Sequence, residues 1–236
     1  RDLLDRRYHH RHPFNLRMHE GQLDRDAIRI WVRNRYYYQT RIPIKDGMIL
    51  SKSPDAAFRR EWIVRIEDHD GGVAEGGGIR RWLALARAVG LDPDYVASGA
   101  GVMPAPRFAV DAYLRFVRDM PLLDAVAASL TELFAPKIHA QRIEGLLAHY
   151  DFVHPGIMTY FQRRLGQAPR DAGFALDYVK THARTPAARA LVCEALIFKT
   201  DVLWSQLDAL YSAYVTPARI PPGAWQPGEG LAGAKA

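Results

Sequence analysis

Three observations predict an all-α protein. Apolar residues recur at steps of three and four along nearly the whole 236-residue chain. Alternation of apolar and polar residues never persists beyond a few positions, and no Asn-Gly hairpin signal occurs. The elements then follow from caps and breakers. Residues 31 to 40, Trp31-Val32-Arg33-Asn34-Arg35-Tyr36-Tyr37-Tyr38-Gln39-Thr40, read as helix, with Pro43 marking a kink or break. Ser53-Pro54-Asp55 reads as an N-cap with Pro at the first helical position, opening a helix that runs to about Asp70 and stops at Gly71-Gly72. Gly76-Gly77-Gly78 reads as a flexible approach to a helix from Ile79 to about Val89, ended by Gly90. Asp92-Pro93-Asp94 and the stretch 98 to 106 read as turns and a long loop. Further helices are expected over residues 107 to 119, 121 to 134, 136 to 149, 155 to 166, 170 to 183 and 186 to 214, with Pro136 at a second break. After Tyr214 the composition turns to Pro, Gly and Ala. The expected organisation is one all-α domain over residues 1 to 214 and a tail or linker over 215 to 236.

Composition sets the outer limits. With 48% hydrophobic residues the chain can bury a large single core. Its apolar runs fall far short of the roughly 20 residues of a membrane helix, so no membrane partner is expected. The one cysteine, Cys193, cannot form an internal disulfide and sits in an apolar helical stretch, where a core thiol is expected. No basic, apolar and small-residue leader pattern is present, so a cytoplasmic location is the expectation. Arg1 opens mid-pattern without a starting Met, so residues upstream are expected. The formal charge of +6 arises from 32 Lys and Arg against 26 Asp and Glu, spread along the chain. A nucleic-acid partner would bring a basic stripe. Dispersed cations that converge on folding suit a small polyanion such as a polycarboxylate held by guanidinium forks.

Polar residues interrupt apolar helices at spacings that share a face. Trp31, Arg35, Tyr38 and Gln39 do so where an ordinary core helix brings Leu or Ile; the face is either solvated or lines a polar cavity for an acidic, aromatic ligand. Arg65 and His69 stand four apart, His139 and Arg142 three apart, Tyr160 and Arg164 four apart. Lys199 interrupts Ala195-Leu196-Ile197-Phe198 and Val202-Leu203-Trp204, and Thr131-Glu132 interrupts Ser129-Leu130 and Leu133-Phe134. Singly, each fits a satisfied core or surface contact. Together they demand many buried partners, which favours a shared cavity. Metal-ligand spacings are absent: there is no Glu-x-x-His, no His-Glu-x-x-His and no Cys pair, and His9-His10-Arg11-His12 is too local to complete a ligand set. No glycine-rich nucleotide fingerprint follows a strand. The expectation is therefore no metal and no bound cofactor.

These segments, in this order, resemble the pyrroloquinoline-quinone synthase family. The matching motifs are Tyr8-His9, Trp31 to Thr40, Arg65-Ile66-Glu67-Asp68-His69-Asp70-Gly71, Arg107-Phe108-Ala109-Val110-Asp111-Ala112-Tyr113, Ser129-Leu130-Thr131-Glu132-Leu133-Phe134-Ala135-Pro136 with Ile138-His139, and Phe198-Lys199 with Leu203-Trp204-Ser205. The resemblance implies a compact haem-oxygenase-like bundle of seven helices without haem, usually a homodimer. It also implies a cofactorless oxidase. The implied reaction closes a ring on a bicyclic polycarboxylate precursor (AHQQ) and removes eight electrons, with O2 as acceptor, H2O2 as a product and the quinone PQQ as the end product. By that resemblance His69 is the general acid/base, and His139, Tyr160 and Arg164 belong to the oxygen and peroxide group. Tyr8, His9, Arg35, Tyr38, Gln39, Arg65, Tyr113, Thr131, Glu132, Arg142 and Lys199 bind substrate. Some relatives are fused to a peptide-carrier domain, which the tail after residue 214 would suit.

The segment His10-Arg11-His12-Pro13-Phe14-Asn15 is more basic than the family pattern leads one to expect. Competing readings on the same fold are a di-metal oxidase, a thiamin-degrading enzyme with a reactive cysteine, and a non-catalytic binder of the quinone. The missing ligand spacings weigh against the first and the isolated Cys193 against the second. A binder would not need His69 together with His139, Tyr160 and Arg164.

Overall fold

The computed structural model describes residues 2 to 72, 76 to 216, 220, 222 and 225 to 231. Among them the regular elements are helices, as the chain's periodicity predicts, with two isolated bridges and no strand, and the all-α class holds. Eleven α-helices take the place of the expected seven: α1 (Asp2–Arg7), α2 (Pro13–His19), α3 (Arg25–Lys52), α4 (Ala56–Asp70), α5 (Gly78–Ala88), α6 (Pro93–Ala97), α7 (Pro104–Asp119), α8 (Leu122–Ala128), α9 (Ala135–His149), α10 (Thr159–His182) and α11 (Pro186–Tyr214). Three 3-10 turns, His9–Arg11, Ser129–Phe134 and Pro155–Ile157, join them. The surplus comes from α1, α2, α6 and α8, each seven residues or fewer.

Several boundaries move for identifiable reasons. The cap of α4 is Asp55, whose carboxylate accepts from the Ala57 amide, while the Ser53 hydroxyl accepts from the Asp55 amide just after α3 ends. Pro54 therefore lies outside the helix. Residues 121 to 134 divide into α8 and a 3-10 turn, which re-aims Thr131 and Glu132. Residues 155 to 183 do not contain two helices: α10 runs from Thr159 through Pro169, because Ala168, Ala172 and Ala175 pack a continuous buried stripe. Pro43 likewise lies inside α3, and Pro136 falls in the first turn of α9, where its missing N–H costs nothing. Cys193 is exposed on α11, contrary to the core thiol expected.

Helix α3 is the axis of the bundle, packed on α4, α5, α7 and α11. On one side Trp31, Trp82, Tyr160 and Phe161 form an aromatic cluster with centroid separations of 4.9 to 6.2 Å, and the Trp82 indole donates to the Val32 carbonyl at 2.8 Å. On the other, Phe58 and Trp62 stack at 5.3 Å above the small residues Ala125 to Ala128. In the stretch 215 to 236, read from composition as tail or linker, Trp225 is fully buried, donates from its backbone to Gly101 and receives the Tyr214 hydroxyl on its carbonyl. No helix among the described residues is long and apolar enough to cross a membrane.

Helices α2 and α9 meet at Gly145, where an added Cβ would lie 2.5 Å from the His19 carbonyl oxygen. Gly145→Ala is expected to pry the two helices apart and destabilise the fold by about 1–3 kcal/mol in urea denaturation. Gly47→Ala, with nothing within 4 Å of the new methyl, is expected to stabilise α3 by about 0.5–1 kcal/mol. Equal effects at both positions would show that α2 and α9 do not touch there.

Candidate active site

A small cavity of about 50 Å3 lies between the helices. Its wall brings together Tyr8 and His9 from the N-terminal segment, Arg35 and Tyr38 from α3, His69 from α4, Thr131 and Glu132 from the second 3-10 turn, His139 and Arg142 from α9, and Tyr160 and Arg164 from α10. Leu203, Ile42, Ala135 and Ile138 complete it. Gln39, Arg65, Tyr113 and Lys199 stand one layer back. The Tyr160 hydroxyl donates to Gln39 at 2.8 Å, the Lys199 ammonium donates to the Tyr38 hydroxyl at 2.7 Å, and Lys199 sits 3.6 Å over the Tyr113 ring. A side chamber beyond His9, Arg35, Arg142 and Leu203 is walled by Asn15, Trp31, Asn34, Gln206, Leu207 and Leu210.

The cations divide into two kinds. Arg65 and Arg164 are locked into a closed ring with two carboxylates: Arg65 reaches Glu132 Oε1 at 2.6 Å and Asp171 Oδ2 at 3.5 Å, and Arg164 reaches Glu132 Oε2 at 3.1 Å and the same Asp171 oxygen at 3.3 Å. Buried Asp46 extends it, accepting from Arg65 Nε at 3.2 Å, the Trp62 indole at 2.9 Å and Lys45. Three cations, Arg65, Arg164 and Lys45, thus face three anions, Glu132, Asp171 and Asp46. Burial would raise the Glu132 carboxyl, but Arg65 and Arg164 outweigh it and hold Glu132 well below the usual carboxylate range. Arg35 and Arg142 are different. Their guanidiniums lie over aromatic rings, Arg35 at 3.9 Å from the Tyr38 centroid and Arg142 at 4.9 Å from Trp31, and neither meets a carboxylate among the described residues. Burial and the Arg35 charge pull Arg142 down to about 9, and burial with Arg35 and Lys45 pulls Lys199 well below its usual value. Such a site is short of negative charge.

The three buried histidines of its wall, His9, His69 and His139, are held neutral, and half-buried His19 on α2 is depressed as well. His69 Nδ1 lies 2.9 Å from the Arg65 carbonyl, which can only accept, so Nδ1 carries the proton. Its Nε2 is left as a buried lone pair without a partner. Burial, then the Arg164 charge, lower His69 to about 4. Burial likewise lowers His19 to about 3, and burial with nearby guanidiniums takes His9 and His139 well below 6.5. The glycine stretch read as flexible is a close contact: a Cβ at Gly77 would fall 2.2 Å from the His69 carbonyl, and one at Gly78 3.2 Å from the Tyr160 ring.

Residue-type reasoning missed Asn15, Asp46, Asp171 and Gln206. Asp46 falls seven residues after Gln39 and Asp171 seven after Arg164, two turns along the same faces, which is a usable signal. Asn15 has none. It is brought in by the 3-10 turn at His9.

A helical bundle with a cation-rich internal cavity is the class that fold and site define. The TENA/THI-4/PQQC family model matches residues 1–209. The pyrroloquinoline-quinone synthase of Ruegeria pomeroyi is 61% identical over 226 residues, 96% of this chain and 93% of that protein. That of Rhizobium meliloti is 62% identical over 225 residues, 95% and 88% of the two chains. Among solved structures, a domain of unknown function with a heme oxygenase-like fold from Shewanella denitrificans superposes with a TM-score of 0.73 at 12% identity, covering 95% of this chain and 92% of that one. A TenA homolog from Pseudomonas syringae gives 0.72 at 13%, covering 89% and 91%. The chain is an enzyme and belongs to the pyrroloquinoline-quinone synthases of the TENA/THI-4/PQQC family, as its motifs indicate.

The neutral histidines predict the response to acid. Each has a folded value below the unfolded 6.5, so the unfolded state binds more protons as pH falls, and stability present above 6.5 declines through the window down to about 4. Each such histidine contributes a slope of about 1.4 kcal/mol per pH unit. His69→Asn is expected to make the fall in unfolding free energy between pH 6.5 and 4.5 shallower by about one proton. An unchanged slope in denaturant titrations would show that His69 is solvated.

Proposed function

We propose that this enzyme completes PQQ by closing the ring of a bicyclic polycarboxylate quinone precursor and oxidising it by eight electrons, with O2 as acceptor and H2O2 as a product. The carrying observation is the pairing of two unneutralised guanidiniums, Arg35 and Arg142, with an unpartnered imidazole lone pair at His69 Nε2 in one buried cavity. Substrate carboxylates supply the missing negative charge as charge-assisted hydrogen bonds. Lys199 and Arg65 act from behind the wall, Lys199 by donating to Tyr38 and Arg65 by fixing Glu132. Tyr8, His9, Tyr38 and Thr131 present phenol, imidazole and hydroxyl groups to the quinone oxygens.

In each two-electron oxidation His69 Nε2 takes a proton from substrate carbon. The electron pair left on the conjugated ring passes to O2, which leaves as H2O2 carrying that proton and the second one the substrate releases on oxidation. Arg164, with Tyr160 and His139, stabilises the negative charge that develops on reduced oxygen. The Tyr160 hydroxyl is aimed by Gln39, and Arg164 by Glu132 and Asp171. The electrons go directly from substrate to O2, without metal or organic cofactor. The cavity carboxylates support this, since Glu132 and Asp171 already ligate guanidiniums. We further place the enzyme in the cytoplasm, as the composition leads one to expect, and as a homodimer, following the family resemblance.

The stages are separable. With precursor bound and oxygen excluded, His69→Ala is expected to slow carbon deprotonation by a factor on the order of 100 or more. Arg164→Ser is expected to bind and begin, then stall as a reduced quinol when air is admitted. Spectra recorded before and after O2 decide this, and an Arg164→Ser protein that forms finished quinone at the parent rate would overturn the oxygen assignment. Turnover is also expected to survive exhaustive chelation. Stoichiometric iron or manganese in active protein, with activity lost on its removal, would favour the di-metal reading instead.

A further inference from the structure

Arg142 and Arg164 line the same cavity, yet they are held in opposite ways. Arg164 is fixed by two carboxylates. Arg142 is fixed by two rings, Trp31 at 4.9 Å and Phe161 at 5.7 Å, and by one neutral acceptor: its NH2 donates to Asn15 Oδ1 at 3.0 Å, and its Nε has no partner. Asn15 is fully buried. Its amide nitrogen donates to the His9 carbonyl at 2.8 Å, so the side chain ties α2 to the turn that carries His9 and to α9 at once. The close approach at Gly145 makes that span possible.

An aspartate is nearly isosteric with asparagine and differs by one charge. At this position it would pair with Arg142 as Glu132 pairs with Arg65, and the cavity would lose half of its uncompensated positive charge. We infer that Asn15 is a positioning residue that orients Arg142 without neutralising it, and so sets the enzyme's affinity for one particular carboxylate of its ligand. The inference rests on the polycarboxylate reading above and adds to it a residue outside the motifs that suggested that reading. Burying a cation beside Arg35 is unfavourable in the empty cavity, and the ligand carboxylate relieves it.

The test is a binding cycle that needs no turnover. Kd is measured by quinone absorbance for the tricarboxylate PQQ and its three monomethyl esters, on parent protein, Asn15→Asp and Asn15→Ala, with folding checked by circular dichroism. Parent protein is expected to bind the acid and to lose about ten- to a hundredfold for the ester that masks the carboxylate facing Arg142. Asn15→Asp is expected to lose about the same factor for the acid and the other two esters, and nothing further for that one. Asn15→Ala, which keeps the charge but frees the guanidinium, is expected to show the same pattern with a loss of only a few-fold, and decides the question alone if Asn15→Asp does not fold. A loss spread evenly over all four ligands would make Asn15 merely structural and overturn the inference, as would no loss at all. Failure of the parent protein to bind the acid would instead overturn the polycarboxylate reading, and this inference with it.

Discussion

The rest of the site depends on the closed ring of Arg65, Glu132, Arg164 and Asp171. These four groups come from α4, the Ser129–Phe134 turn and α10, which no hydrophobic contact alone would bring into such exact register. Buried charges are costly when single, and removing one member leaves another uncompensated, so the ring behaves as one unit. Because each guanidinium has at least two carboxylates and each carboxylate at least two guanidiniums, the geometry is over-determined. The 3-10 turn that breaks the expected 121 to 134 helix is part of this arrangement, since it delivers Glu132 into the ring while leaving Thr131 on the cavity wall.

Neutrality of the ring is what gives the remaining cations their meaning. With Asp46 and Lys45, and with Arg170 and Asp68 beyond Asp171, the network still sums to zero, which leaves Arg35 and Arg142 as the lining guanidiniums with no carboxylate partner among the described residues. Burial, reinforced by their positive field, suppresses protonation of His9 and His139, whereas at His69 burial is reinforced by the charge of Arg164. Arriving carboxylates weaken the field of Arg35 and Arg142. Ligand binding is therefore coupled through charge to the wall imidazoles of His9 and His139, which the two guanidiniums hold below their usual range in the empty cavity.

The all-α class, the order of the long helices and most of the cavity wall were legible in the chain. They rest on periodic apolar faces interrupted by polar residues, and Arg35, His69, His139 and Arg164 each stand at a helical step from a second cavity residue or its immediate support. What was not legible has one physical character. Asn15 acts only through partners on other elements, and Asp46 and Asp171 add to their same-helix partners the cross-helix contact to Arg65, whereas sequence spacing reports only neighbours on the same helix. The same limit explains Arg65 and Lys199: their types and faces were right, but whether they reach the lumen or a carboxylate behind it is fixed by packing across the bundle. Short helices were missed because α1, α2 and α6 are defined by docking rather than by propensity.

The site also explains why the bundle must be so tightly closed around it. Unpaired Arg35 and Arg142, a bare His69 Nε2 and an ammonium at Lys199 held well below its normal basicity all work against folding, and they must be offset elsewhere. The aromatic cluster of Trp31, Trp82, Tyr160 and Phe161 does this while also shaping the site: Trp31 supports Arg142, and Tyr160 is an edge of the cluster whose hydroxyl faces Gln39. Core and catalytic groups are thus the same residues. A substitution that relaxes the cluster must disturb the positions of Arg142 and Tyr160 in the same step, so stability and site geometry in this enzyme cannot be tuned independently.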